Sequence, residues 1–130
     1  MTGGTKFLSV SEVLWIHEDQ IERYGGASGL RDMSLLESAV AQPAAAFEGR
    51  ELHPDLLNKA AANDAFHICC DHPFVDGNKR VALASALVFL ELNDVTITDP
   101  RGRLYQLMIR VASGRSSKRE IADAFRQLQA

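Results

Sequence analysis

The chain carries only two cysteines, and they are neighbours, Cys69 and Cys70. Adjacent cysteines do not make an ordinary structural disulfide, so a reducing, cytoplasmic setting is expected. No apolar run reaches the ~20 residues of a membrane span. The most apolar stretch, Val81 to Leu92, reads instead as a buried core helix. The first residues, Met1 to Lys6, lack the apolar segment of a signal peptide. Basic residues are dispersed: the densest cluster is Lys118-Arg119, and the net charge is −3. That argues against a nucleic-acid-coating surface, so neither direct nucleic-acid binding nor membrane association is expected. A nucleotide site stays open, since it needs only a few local cations. No internal repeat and no Ser/Gly/Pro-rich linker divides the chain.

What is present suits one folded domain, residues 1–130, with 46% of residues hydrophobic. A chain of this size buries roughly two-thirds of its unfolded surface without metal or disulfide support. Helix signals dominate. Ser9-Val10-Ser11-Glu12 is a capping box, and the helix it opens runs to about Tyr24 before Gly25-Gly26. Asp32 is the expected N-cap of a second helix that Pro43 stops. Residues 44–52 have no helical period and contain Gly49, so a loop or short hairpin is expected there. Pro54 suits the first turn of a third helix reaching Cys69 or Cys70. A fourth helix opens at Asn78 or Lys79 and runs to Leu92. It is apolar on nearly every side, which makes it central. Val95 to Thr98 reads as a short extended piece. Asp99-Pro100 predicts the start of a fifth helix ending near Ala112. Ser117-Lys118-Arg119-Glu120 is a second capping box and opens the last helix. The predicted fold class is all-α.

Between the third and fourth helices lies the polar loop His72-Pro73-Phe74-Val75-Asp76-Gly77, with two breakers in a short span. His72 titrates near neutrality and can accept a proton. Asp76 is a hard oxygen ligand suited to Mg²⁺. Gly77 permits close backbone approach. The first turn of the next helix offers unpaired N–H groups and the positive end of its dipole. Lys79 and Arg80 sit at that same end, where cations are unfavourable. A bound polyphosphate removes the conflict. Base, metal ligand, anion-binding turn and two cations are the parts that phosphoryl or nucleotidyl transfer needs. The bland alternative for His72 is a helix C-cap, and for Lys79 and Arg80 a solvated pair. His17 reads as a surface or partly buried residue without chemistry. His67, Cys69, Cys70 and His72 do not converge on one point of a helix, which argues against zinc.

The string His72-Pro73-Phe74-Val75-Asp76-Gly77-Asn78-Lys79-Arg80 resembles the Fic-family signature: histidine, any, phenylalanine, any, acidic, glycine, asparagine, glycine or lysine, arginine. Gly29 to Asp32, Leu35 to Ala39 and Gln42-Pro43 resemble the N-terminal half of the family's death-on-curing (Doc) branch. The likeness extends from about Phe7 to Leu128 and implies a compact helical bundle whose central helix follows the active-site loop. It implies His72 as general base, Asp76 as Mg²⁺ ligand, and Gly77, Asn78, Lys79 and Arg80 as the nucleotide-phosphate cradle. Phe74 would anchor the loop, and Phe47, Glu48 and Gly49 would belong to a flap that docks an extended target segment. Two positions separate this chain from the adenylylating branch. Lys79 stands where that branch has glycine, and Leu83 where it has a second arginine. Doc toxins share both departures. The resemblance thus implies a toxin kinase that moves the terminal phosphate of ATP to a threonine of elongation factor Tu, blocking translation. It also implies a cognate antitoxin with a disordered C-terminal segment, because no internal inhibitory helix is legible. The alternatives are a nucleotidyl transferase of the wider family and a non-catalytic module that binds a phosphorylated ligand or partner.

Overall fold

The computed structural model describes residues 5–46 and 54–130. Six helices occur among them: α1 (Val10–Tyr24), α2 (Met33–Ala46), α3 (Pro54–Asp71), α4 (Asn78–Leu92), α5 (Arg103–Ala112) and α6 (Lys118–Leu128). Extended pairing among the described residues is confined to two isolated bridges, Leu30 with Phe74 and Ile97 with Gln129. The all-α expectation holds. None of the described helices is long and apolar enough to cross a membrane.

Both capping boxes form as their sequences dictate. The Ser9 side chain accepts from the N–H of Glu12, whose carboxylate accepts from the N–H of Ser9. Ser117 and Glu120 do the same for α6. Asp32 accepts from the N–H of Leu35 and so caps α2. Two boundaries differ from expectation. α2 runs through Pro43 to Ala46. Pro43 sits in the last turn, where only one intrahelical bond is lost, and the alanines around it favour the helix. α5 starts at Arg103 rather than beside Asp99, because Gly102 turns the chain in the left-handed region at φ 66°. Asp99 still serves that helix: its two carboxylate oxygens accept from the N–H groups of Arg103 and Leu104, each at 2.9 Å.

The centre is a pair of helices. α3 packs against α4, α2, α6 and α5, and α4 packs against α3, α1 and α5. α3 allows close approach because much of its buried face is alanine: Ala60, Ala61, Ala62 and Ala65. α4 contributes Val81, Ala82, Ala86, Phe89 and Leu90 to the same core. The remaining face of α4, with Leu83, Ala84 and Leu87, is only half-buried and lines a cavity shared with α1 and α5. Residues 95–98 pair with the chain end, the N–H of Thr98 to Leu128 and that of Ala130 to Thr96. The effect is to place the 72–77 loop where α3 ends, α4 begins and the segment after α1 passes over both.

Candidate active site

His72 follows the last residue of α3 and has φ 50°. A left-handed residue is the usual way to end a helix, but a side chain other than glycine costs roughly 1 kcal/mol there. Such strain persists only when neighbours enforce it. Arg31 is that neighbour. Its Nε donates to the His72 carbonyl at 2.6 Å and its guanidinium end donates to the Asp71 carbonyl at 2.8 Å. Backbone bonds add to the strap. The N–H groups of Arg31 and Asp32 both donate to the Pro73 carbonyl, and the N–H of Val75 donates to Gly29. The His72 side chain itself stays exposed. His72 therefore ends a helix and leaves its imidazole in solvent.

Phe74 is buried and forms the floor of the loop. Its ring stacks on His17 with centroids 3.8 Å apart and planes within 9°. His17, expected at the surface or partly buried, is fully buried, and its Nε2 lies 2.8 Å from the Asp76 carbonyl. That oxygen can only accept, so Nε2 donates and carries the proton. Sequence reasoning missed this role. The signal was there: Val13, Ile16, His17 and Gln20 fall on one helical face, and a histidine on a buried face needs a partner.

Asn78 closes the loop on itself. Its Oδ1 accepts from the N–H of Phe74 and its Nδ2 donates to the Phe74 carbonyl, both at 3.0 Å. With the residue 9% exposed and both ends of the amide engaged, the side chain is committed to the loop. In the phosphate cradle that the resemblance implies, the Asn78 side chain would act by shaping the loop. Its backbone N–H, in the first turn of α4, is the group left for phosphate.

Asp76 is held by two backbone donors. Oδ2 accepts from Ala27 at 3.0 Å and Oδ1 from its own neighbour Gly77 at 2.8 Å. The Ala27 and then the Gly77 bonds lower its pKa, with smaller help from Lys79 and His17, so it stays a carboxylate in mild acid. The segment after α1 fits around it tightly: a Cβ on Gly26 would sit 2.7 Å from Asp76 Oδ2. The carboxylate is exposed, and its oxygens keep lone pairs for a cation. One ionised carboxylate facing a phosphate-binding turn fits Mg²⁺, which is commonly held by one or two carboxylates, substrate phosphates and water.

Gly77 is the N-cap of α4 at φ 75°, and no side chain caps that helix. Its first-turn N–H groups are open to a ligand. A Cβ at Gly77 would meet the end of the Ile21 side chain at 3.1 Å, so it is the backbone conformation that requires glycine. Lys79 and Arg80 occupy the same turn, and no acidic residue does. Arg80 lies across two rings, its guanidinium carbon 4.1 Å from the centre of Tyr24 and 4.5 Å from that of Tyr105. The cavity beside it measures about 310 Å³. A larger one of about 530 Å³ opens between α3 and α6 around Lys59, Asn63 and Lys118 and contains none of the loop residues. Phe47, Glu48 and Gly49 lie outside the described residues.

The loop thus brings His72, Asp76, Gly77, Lys79 and Arg80 to one end of α4, and adds Arg31 and His17 as its supports. Comparison with known proteins gives the family. A family model described as Fic/DOC family matches residues 7–90. A protein named protein kinase doc, from Escherichia phage P1, is 33% identical over 123 residues, 95% of each chain. A protein named toxin Doc, from Mycolicibacterium smegmatis, is 43% identical over 74 residues, covering 57% of this chain and 56% of that one. With its signature loop built around a helix start of this kind, the chain belongs to the Fic/Doc family and to its Doc branch.

Proposed function

We propose that the chain is a Doc-type toxin kinase that transfers the terminal phosphate of ATP to a protein hydroxyl. The observation that carries this reading is the start of α4: uncapped, free of acid and furnished with Lys79 and Arg80. The phage relative's name supports the kinase side, and the mycobacterial relative's name the toxin side.

In the proposed reaction the polyphosphate lies on the open N–H groups of α4. Lys79 and Arg80 offset its charge, Arg80 through a planar fork that matches phosphate oxygens. His72 accepts the proton of the target hydroxyl as that oxygen bonds to the terminal phosphorus. The bond from that phosphorus to the bridging oxygen breaks, and ADP leaves with the electron pair. Mg²⁺, when bound through Asp76, would neutralise charge developing on the phosphates. Arg31 and His17 hold the loop so that base and cradle keep their spacing. The proposed target is a threonine of elongation factor Tu, which would block translation. The proposed partner is an antitoxin whose disordered C-terminal segment folds on binding, and the proposed site of action is the cytoplasm.

Labelled ATP tests the reaction class. With purified protein, Mg²⁺ and elongation factor Tu, label on the terminal phosphate is expected to reach the target and label on the α-phosphate is not. Transfer of α-label would replace the kinase by a nucleotidyl transferase. Binding of ATP with no transfer of either label, to this target or to a cell extract, would favour a non-catalytic phosphate-binding module.

A further inference from the structure

We propose that Tyr24 and Tyr105 are positioning residues that hold the Arg80 guanidinium ready for an anionic ligand. The inference rests on the reading that Arg80 binds phosphate. The three residues come from three elements: Tyr24 ends α1, Arg80 is in the first turn of α4, and Tyr105 is in α5. Their meeting is a product of the tertiary fold. The guanidinium carbon lies 4.1 Å from one ring centre and 4.5 Å from the other, within cation–π range of both.

A long cation can be fixed in place by a carboxylate or by aromatic faces. The two differ in what they leave over. A carboxylate consumes the in-plane N–H donors and cancels the charge, so it competes with phosphate for both. An aromatic ring takes the face of the guanidinium and leaves the in-plane donors free. Arg80 follows the second pattern. Among the described residues it has no hydrogen-bond or salt-bridge partner. An acid lines the same cavity, Asp99, but it accepts from the N–H groups of Arg103 and Leu104 and makes no salt bridge with Arg80. The cavity's other wall is apolar, with Leu83 and Leu87. Arg80 is therefore immobilised without being neutralised. Neither tyrosine hydroxyl has a hydrogen-bond partner among the described residues, so the rings act through their faces. Lysine could not replace Arg80, because it has no planar face to stack and no fork to present.

The experiment uses the full chain and two probes, inorganic tripolyphosphate and Mg²⁺–ATP, with binding measured by calorimetry. Tyr24→Leu and Tyr105→Leu are each expected to weaken both probes about two- to fivefold, the span of an exposed cation–π contact. The Phe variants at the same positions should bind as the unaltered protein does. In an Arg80→Ala background the Leu changes should have no further effect. A separate readout follows the Nε–H resonance of Arg80 in the free protein. Ring-current shielding should displace it in the unaltered and Phe proteins and vanish in the double Leu variant. Tyr24 is 59% exposed, so its replacement leaves the fold standing. Unchanged binding in the Leu variants overturns the proposal. So does equal loss in the Phe variants, or undiminished loss without Arg80, since either marks a role other than holding the guanidinium. A protein that binds neither probe also overturns it. If tripolyphosphate shows the expected pattern while no label reaches a target, the kinase reading falls and this inference stands.

Discussion

Two helices of this protein open on a basic pair, Lys79-Arg80 in α4 and Lys118-Arg119 in α6, and only α6 has a capped start with an acid in its first turn. α6 has Ser117 as N-cap and Glu120 in the first turn, a complete capping box. Lys118 folds back onto α3, its amino group 2.9 Å from Asn63 Oδ1 and 3.2 Å from His67 Nε2, beside the Phe66 ring. That contact, after burial, holds the His67 pKa down. α4 has neither cap nor acid, and Arg80 stacks on rings that leave its charge intact. A basic pair at a helix start is therefore not itself the mark of a phosphate site. The mark is the missing cap and the missing acid. α6 is complete without a ligand, whereas α4 leaves its dipole end and first-turn donors uncapped, as the proposed phosphate site requires.

The largest effect that can break this comparison is at the base. His72→Ala is expected to lower phosphate transfer by a factor of about 10²–10⁴, the usual contribution of a positioned proton acceptor. The melting temperature should barely move, since the side chain is exposed. Timed transfer assays on the folded variant check this. Near-normal rates would remove His72 from the reaction and leave the loop as a binding turn.

Giving α4 the acid it lacks is the next test. Lys79→Glu places a negative charge at the helix start, which typically stabilises by ~0.3–1 kcal/mol. It also removes a cation that would meet phosphate and puts repulsion in its place. Charge-assisted hydrogen bonds contribute ~1.5–3 kcal/mol, so nucleotide affinity should fall at least about tenfold. The expected variant is slightly more stable and binds ATP at least about tenfold more weakly. Denaturant melts and calorimetry on one preparation read both halves. A variant that keeps its affinity would show that the open end of α4 serves structure alone.

The supports of this site were only partly legible in the sequence, and the reason is range. Capping boxes are local, so Ser9, Glu12, Ser117 and Glu120 could be read from spacing and formed as read. The loop residues proposed for the chemistry stood out because they are contiguous. Arg31 and His17 reach it from 41 and 59 residues away; the period of α1 marks His17 as buried, but nothing in it names the partner. Asn78 was legible as a motif residue but not as the clamp on Phe74, since the folded turn alone decides which way its amide faces. The late start of α5 has the same character: glycine at Gly102 let the chain turn once more before Asp99 could cap it. The Tyr24–Arg80–Tyr105 stack joins three helices and carried no sequence signal.

A change in the shared support should leave the two helix starts equally affected. α3 packs on both α4 and α6 and buries Asp64, whose Oδ1 lacks a hydrogen-bond partner. Burial pushes the Asp64 carboxyl up from 3.8 to about 7. Its folded pKa exceeds its unfolded one, so the folded state holds the proton more tightly. The Asp64 contribution to stability is then fully present below about pH 3.8 and is lost as pH rises through 7. Between pH 5 and 8 this one group should cost roughly 2–3 kcal/mol, at 1.36 kcal/mol per unit. Asp64→Asn should flatten that slope while transfer activity at a fixed pH stays within twofold or so. Denaturant melts at both pH values decide it. A slope unchanged by the substitution would assign the pH dependence to other groups.

The smallest expected effect is at the complete helix start, and it fixes what a cap is worth where no ligand takes its place. Ser117→Ala removes the acceptor for the Glu120 N–H at 3.3 Å but leaves the Glu120 carboxylate near the Ser117 N–H. Half the capping box survives, so the loss should be about 1 kcal/mol of stability, in the middle of the range for such substitutions. The midpoint of a urea melt reads it, and the slope of the transition should not change. Nucleotide affinity and transfer rate should match the unaltered protein, because α6 shares no residue with the 72–77 loop. The α4 start has no cap to remove, so its counterpart measurement is stabilisation by ligand. Mg²⁺–ATP at a hundred times its dissociation constant should raise stability by about 2.7 kcal/mol. If the Ser117→Ala protein gains as much from ATP as the unaltered one, the two helix starts are energetically independent. A smaller gain would couple them, and the division between a self-contained end and a ligand-completed end would fail.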